Sequence, residues 1–313
     1  MQLERGQAAT KSKAECVVEV SSRRILFERN SDVNLPMAST TKVLTAIIIL
    51  EDCDLDEEVT VPKQAAGTEG SSVYLKAGEV LTVRDLLYGL MLRSGNDCAV
   101  TLALHHSGSI ERFAQVMNER AVSYGAEDSY FVNPHGLPDK RHRTTARDLA
   151  LVSAHAMENE MFREIVACKL YAPKNWYNKN KMLYQYDGAI GVKTGFTLSA
   201  GRCLVTAAER NGMKLVSVVL DSPQMYERSA EILDYGFANY AMFDLCSKGE
   251  PIEGFRILSS FAYPLTKAER EKIKIEVETD DSKEKEIGAI AGIMKIYLEN
   301  RLLFSQNLYM MKQ

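Results

Sequence analysis

Two periodicities divide this chain, and their order limits the architectures open to it. Residues 15–20 and 25–28 are apolar runs flanking Ser21-Ser22-Arg23-Arg24, a pattern that predicts a hairpin of two short strands. Helical spacing then takes over at 40–53, 83–92, 99–105, 110–124 and 145–157. In the fourth of these, Ile110, Phe113, Ala114, Met117 and Ala121 fall on one face. Ser39 precedes the first and reads as its N-cap, and Thr145 opens the last. Strand patterning returns at 191–195, 203–208 and 215–220, before a helix at 229–241. Strands at both sequence ends with helices between are an α+β arrangement, not repeating βαβ units. After about residue 247 the chain becomes charged and strand-like, notably at 272–277 and 293–298. The expected division is a tail at 1–13, a large domain at 14–246 and a small β-rich domain at 247–313.

Composition narrows the function classes without choosing one. The 313 residues suffice for about two domains. Hydrophobic residues at 46% and charged residues at 26% exclude wholesale disorder. A net charge of −4 lacks the basic footprint of a nucleic-acid binder. No apolar run approaches the ~18 residues of a membrane helix. Residues 1–13 hold no apolar stretch of the secretory kind, so either the protein is cytoplasmic or a leader is absent from this chain. The six cysteines are too dispersed for zinc-ligand spacing and read as mostly buried free thiols, Cys98 among those in a packing role. His105 and His106 are adjacent and face different ways, there is no His-Glu-x-x-His, and no Gly-x-Ser-x-Gly supports a Ser-His-Asp hydrolase. No metal or cofactor is expected.

Three short motifs can carry chemistry. Ser39-Thr40-Thr41-Lys42 places a lysine one helical turn after a serine, so the amine can reach the hydroxyl and, when neutral, take its proton. A helix N-terminus there favours a developing anion. Ser94-Gly95-Asn96 interrupts two apolar helices with a hydroxyl that can relay a proton and an amide that can hold a carbonyl. Lys193-Thr194-Gly195 is a polar strand in which glycine permits close backbone approach, suiting an anionic extended substrate that adds to a sheet edge. Singly these are commonplace: Ser282-Lys283-Glu284-Lys285 and Ser305-Gln306-Asn307 repeat the first two patterns. No Lys-Thr-Gly succeeds those copies, and the ordered trio is what distinguishes the first set.

In that order the motifs resemble those of the penicillin-recognising active-site serine hydrolases. Pro36-Met37-Ala38-Ser39-Thr40-Thr41-Lys42, Arg93-Ser94-Gly95-Asn96-Asp97 and Gly191-Val192-Lys193-Thr194-Gly195-Phe196-Thr197 resemble low-molecular-mass D-alanyl-D-alanine carboxypeptidases. Asn133-Pro134-His135-Gly136-Leu137, Ala146-Arg147-Asp148-Leu149-Ala150 and Ala200-Gly201-Arg202-Cys203-Leu204 extend the likeness over roughly residues 14–245. His135 itself reads as a structural hydrogen-bonder. The resemblance implies a helical cluster packed on an antiparallel sheet, as in β-lactamases and transpeptidases, with a small β-rich C-terminal domain. It implies that Ser39 attacks the carbonyl between two D-alanines of a peptidoglycan stem peptide while Lys42 accepts its proton. Ser94 would return that proton to the leaving D-alanine, and Asn96 would hold the substrate amide. The backbone N–H groups of Ser39 and Phe196, past Gly195, would form the oxyanion hole. Lys193, Thr194 and Arg228 would receive the terminal carboxylate, and β-lactams would acylate Ser39.

Rival readings are a muropeptide endopeptidase, a class A-like β-lactamase and a non-catalytic cell-wall-binding module. Against the β-lactamase stand Gly95 within the second motif and the absence of Glu-x-x-Leu-Asn. Relative to the family, the C-terminal block is shortened at its front, and no amphipathic anchor is visible, which leaves membrane attachment open. The resemblance implies action outside the cytoplasm, in the cell wall or on the outer face of the membrane, and hence the mature form of an exported enzyme.

Overall fold

A computed structural model describes residues 12–279 and 290–310. Most of the expected 1–13 tail and the motif copy at 282–285 lie outside the described residues. The hairpin forms from β1 (Ala14–Glu19) and β2 (Ile25–Arg29), joined by a turn. Every residue of β1 is buried, as befits an interior strand. A 3-10 turn at Ala38–Thr41 leads into α1 (Lys42–Asp52), where residues 42–49 are all buried, so the helix is enclosed on every side.

A hairpin of β3 (Glu58–Thr60) and β4 (Val80–Thr82) precedes α2 (Val83–Leu92), α3 (Asn96–Ser107), α4 (Ile110–Ser123) and α5 (Ala146–Ala156). Thr82, Ser109 and Thr145 cap α2, α4 and α5 by accepting backbone N–H bonds. Sequence patterning missed α6 (Glu160–Ala167), the hairpin of β5 (Leu170–Tyr171) and β6 (Trp176–Tyr177), and α7 (Met182–Gln185). The two strands and α7 are too short to develop a periodicity; α6 is amphipathic, burying Phe162, Ile165 and Val166, but spans only about two turns.

Three long strands come next: β7 (Ala189–Thr197), β8 (Gly201–Arg210) and β9 (Met213–Leu220), then α8 (Met225–Asn239). The antiparallel sheet runs β2-β1-β9-β8-β7. The N-terminal strand thus enters the sheet beside β9, pairing Glu15 with Val219 and Val17 with Ser217. Cys16, Val18, Cys203, Val205, Val216 and Val218 join the main core, and α5 packs across β1 and β9. β7 ends the sheet order and leaves an edge beside the 3-10 turn.

Contacts divide the chain between Gly236 and Phe237, ahead of the expected 246/247, because the strand after α8 pairs within the C-terminal unit. This second unit contains β10 (Ala241–Cys246), β11 (Pro251–Ile252), β12 (Phe255–Arg256), β13 (Phe261–Leu265), α9 (Lys267–Arg270), β14 (Ile273–Thr279), β15 (Ile290–Leu298) and β16 (Arg301–Met310). β10 pairs with β13, and the other five strands form a sheet ordered β11-β12-β16-β15-β14. Its core gathers Cys246, Phe255, Ile257, Met294, Ile296 and Leu308, with Phe261 stacked on Phe304. Among the described residues, no helix is long and apolar enough to cross a membrane.

Candidate active site

The entry to α1 differs from the simple capped helix that its sequence predicts. Ser39 caps nothing: it lies inside the 3-10 turn, and the α-helix begins at Lys42 with Thr41 as its cap position. The hydroxyls of Thr40 and Thr41 donate back to the Met37 and Ala38 carbonyls at 2.6 and 2.8 Å. These bonds brace the turn and leave the Ser39 hydroxyl for another partner. Ala38 holds φ at +50°, a left-handed conformation that costs an alanine about 1–2 kcal/mol.

That partner is Lys42, whose Nζ donates to Ser39 Oγ at 3.0 Å. The amine also donates to Asn96 Oδ1 and to the His135 carbonyl, both at 2.7 Å. Lys42 is fully buried, with 0% exposure, and Ser39 is half-buried above it. Burial, reinforced by the charge of Lys193, lowers the Lys42 pKa well below its ordinary value. A neutral amine keeps two hydrogens, enough for Asn96 Oδ1 and the His135 carbonyl, and turns its lone pair to Ser39, whose hydroxyl then donates to it.

The His135 contribution was not legible in sequence, because it is a backbone carbonyl. Asn133 Oδ1 accepts from the N–H of Gly136 at 2.7 Å and folds the 133–137 turn. Thr45 Oγ1 donates to the Pro134 carbonyl at 2.7 Å, pinning that turn to α1. Gly136 has φ +88°, and a Cβ there would fall 1.8 Å from the Ala38 carbonyl oxygen. Only glycine lets the turn press against the residue before Ser39.

Asn96 is the first residue of α3, and its side-chain amide also donates to the Glu69 carbonyl. Asp97 accepts from Ser72 Oγ and from the amides of Val73 and Leu75, which orders the loop past Ser71. Ser94 sits at φ +64°, and its buried Oγ has no hydrogen-bond partner among the described residues. Such strain on a non-glycine costs on the order of 1–3 kcal/mol and persists where the surroundings impose it. Cys98 is buried, and its burial raises the thiol pKa well above the usual range, so it stays protonated.

β7 brings the third motif to the same place. A Cβ on Gly195 would meet the Met37 carbonyl and the Ser39 and Thr40 amides at 3.1 Å, which shows how closely the strand lies against the turn. Lys193 is 2% exposed and its pKa is lowered to about 7 by burial, then by the charge of Lys179. A cleft of about 370 Å³ opens above, lined by Ser39, Ser94, Thr194, Gly195, Phe196 and, beyond the predicted set, Ser71, Lys179, Arg202, Met225 and Tyr226.

Arg228 is placed elsewhere, against expectation. Its guanidinium donates to both oxygens of Glu15 at 2.8 and 2.7 Å and to Glu231 at 2.7 Å. It does not line the cleft. Glu15 has 0% exposure; burial raises its pKa, but Arg228 and Arg29 outweigh that and hold it at about 2. Three of its five N–H groups are engaged by carboxylates, two on Glu15 of β1 and one on Glu231 of α8.

Residues 1–224 match the model of a family described as D-alanyl-D-alanine carboxypeptidase. The chain is 30% identical to the D-alanyl-D-alanine carboxypeptidase DacF of Bacillus subtilis, over 80% of this chain and 68% of that protein. It is 35% identical to DacB2 of Mycobacterium tuberculosis, likewise named a D-alanyl-D-alanine carboxypeptidase, over 71% and 81% of the respective chains. The solved structure of penicillin binding protein 5 from Haemophilus influenzae superposes with a TM-score of 0.82 at 26% identity, covering 98% of both chains.

Proposed function

The chain belongs to the D-alanyl-D-alanine carboxypeptidase family, and from that premise we propose that Ser39, Lys42 and Ser94 carry its reaction. The activity is that of a serine-type D-alanyl-D-alanine carboxypeptidase acting on peptidoglycan, and the protein is of the penicillin-binding kind. The endopeptidase, β-lactamase and binding-module readings are not favoured by these relatives. Peptidoglycan as substrate implies action outside the cytoplasm; the cell wall or the outer face of the cytoplasmic membrane is our more specific reading.

The observation that carries the mechanism is the fully buried amine of Lys42, 3.0 Å from Ser39 Oγ. Neutral Lys42 takes the hydroxyl proton as Ser39 attacks the carbonyl between the two D-alanines. The amides of Ser39 and Phe196 hold the developing oxyanion, a contribution of about 3–4 kcal/mol per donor in comparable sites. The Lys42 proton then passes through Ser94 to the leaving nitrogen, releasing D-alanine and leaving an ester on Ser39. Water hydrolyses that ester, with Lys42 again accepting a proton. Asn96 orients the substrate amide while steadying Lys42, and Lys193 and Thr194 receive the terminal carboxylate. β-Lactams enter the same path and stall as the Ser39 ester.

Intact-mass analysis after incubation with a labelled penicillin tests this directly. One adduct per chain is expected, lost in Ser39→Ala. An adduct that persists in that variant would falsify the assignment of the nucleophile.

A further inference from the structure

The reaction above leaves a cation of the cleft without a task. The charged side chains that line the opening are Lys179 and Arg202, and among the described residues no acidic one lines it. Among the described residues neither has a carboxylate partner in an ion pair, unlike Arg228, which is filled by Glu15 and Glu231. Lys179 belongs to the Lys193 end: its amide donates to the Leu92 carbonyl at 3.2 Å, and its charge acts on Lys193. A terminal carboxylate bound at Lys193 and Thr194 satisfies that end.

Arg202 stands at the other end. On β8 it pairs with Phe196, whereas Lys193 pairs with Val205. Three residues of strand separate the two stations, roughly 10 Å at 3.3 Å per residue. A peptide added to the β7 edge with its terminal carboxylate at Lys193 runs antiparallel toward Phe196. With the scissile carbonyl at the Phe196 amide, the residue preceding the D-Ala-D-Ala pair follows just beyond Phe196, at the Arg202 end of the cleft and away from Lys193. The arginine is exposed, beside Tyr226, whose phenol its charge influences. A guanidinium at this station matches a carboxylate by charge and by its fork of donors.

Resting on the carboxypeptidase reading, we propose that Arg202 is a specificity-determining residue that selects peptides whose residue preceding D-Ala-D-Ala carries a free side-chain carboxylate. The same peptide with a carboxamide there offers the arginine no charge and is the poorer substrate.

Two synthetic peptides that differ only in Glu or Gln before D-Ala-D-Ala supply the test, with D-alanine release as the readout. For the unmodified enzyme kcat/KM should favour the acid about tenfold, mainly through KM, and less so at high salt. In Arg202→Gln that ratio should fall to near one, and Arg202→Lys should restore part of it. An unmodified enzyme without preference overturns the proposal. So does an Arg202→Gln variant that slows both peptides alike, since that assigns Arg202 to the terminal carboxylate they share. Release without preference leaves the carboxypeptidase reading standing; release from neither peptide overturns both.

Discussion

The amine of Lys42 lies 3.0 Å from the hydroxyl of Ser39, within a pocket that gives the lysine no exposure to solvent. A cation there would lack water and face Lys193, so the environment favours the neutral base. Acceptors from α3 and from the 133–137 turn aim it.

Lys42→Arg places a group of similar reach that cannot deprotonate at any working pH. The expected loss in kcat is at least about 10³-fold, measured at a temperature where the variant is still folded, since a buried obligatory cation also lowers the melting temperature. A variant within tenfold of the parent would remove Lys42 as the base.

Lys193 acts in the opposite sense on pH. In the role proposed for it the cationic form binds the terminal carboxylate, and burial lowers its pKa to about 7. Substrate binding should therefore weaken as pH rises through about 7. The alkaline limb should appear in kcat/KM and shift upward in kcat, because a bound carboxylate stabilises the cation. A substrate amidated at its C-terminus should lose this limb; its survival there would point to another group.

Ser94→Gly separates strain from chemistry. The backbone at φ +64° suits glycine, and among the described residues the deleted hydroxyl has no partner to abandon. The melting temperature should hold or rise while kcat falls by about 10²-fold through loss of the proton relay. A drop in both would make Ser94 structural.

Gly136→Ala lies outside the motifs yet should disable the site. The added methyl meets the Ala38 carbonyl at 1.8 Å in a backbone conformation that alanine resists. Destabilisation of about 3 kcal/mol or more is expected in urea unfolding, together with slower penicillin acylation. Unchanged stability and acylation would show that the turn can withdraw freely.

Arg228→Ala should behave as a stability mutant. Glu15 keeps Arg29 but loses one of its two bidentate guanidinium partners, a cost of about 2–4 kcal/mol for a buried carboxylate. KM for the peptide should stay near the parent value at a temperature where the variant is folded. A raised KM would return Arg228 to the substrate.

The three motifs and their supporting elements were legible because each is local. A serine and a lysine one turn apart, a polar break between apolar helices and a Lys-Thr-Gly strand are patterns of neighbours along the chain. Arg228 was misread for the converse reason. Whether an arginine at the start of α8 faces the cleft or β1 depends on Glu15, 213 positions away. Arg202 and Lys179 stand in stretches with no local mark of a cleft wall. The lysine-holding carbonyl of His135 has no side-chain signature at all.

Residue type and periodicity act within a few positions of the chain, so the candidate reacting groups and the longer elements that bear them were legible there. The tertiary structure alone decided their states. The Lys42 pKa is lowered because the amine is buried and faces Lys193, while Asn96 and His135 hold it from separate segments. Protonation depends on desolvation and neighbouring charge, and both are created when distant parts of the chain pack together.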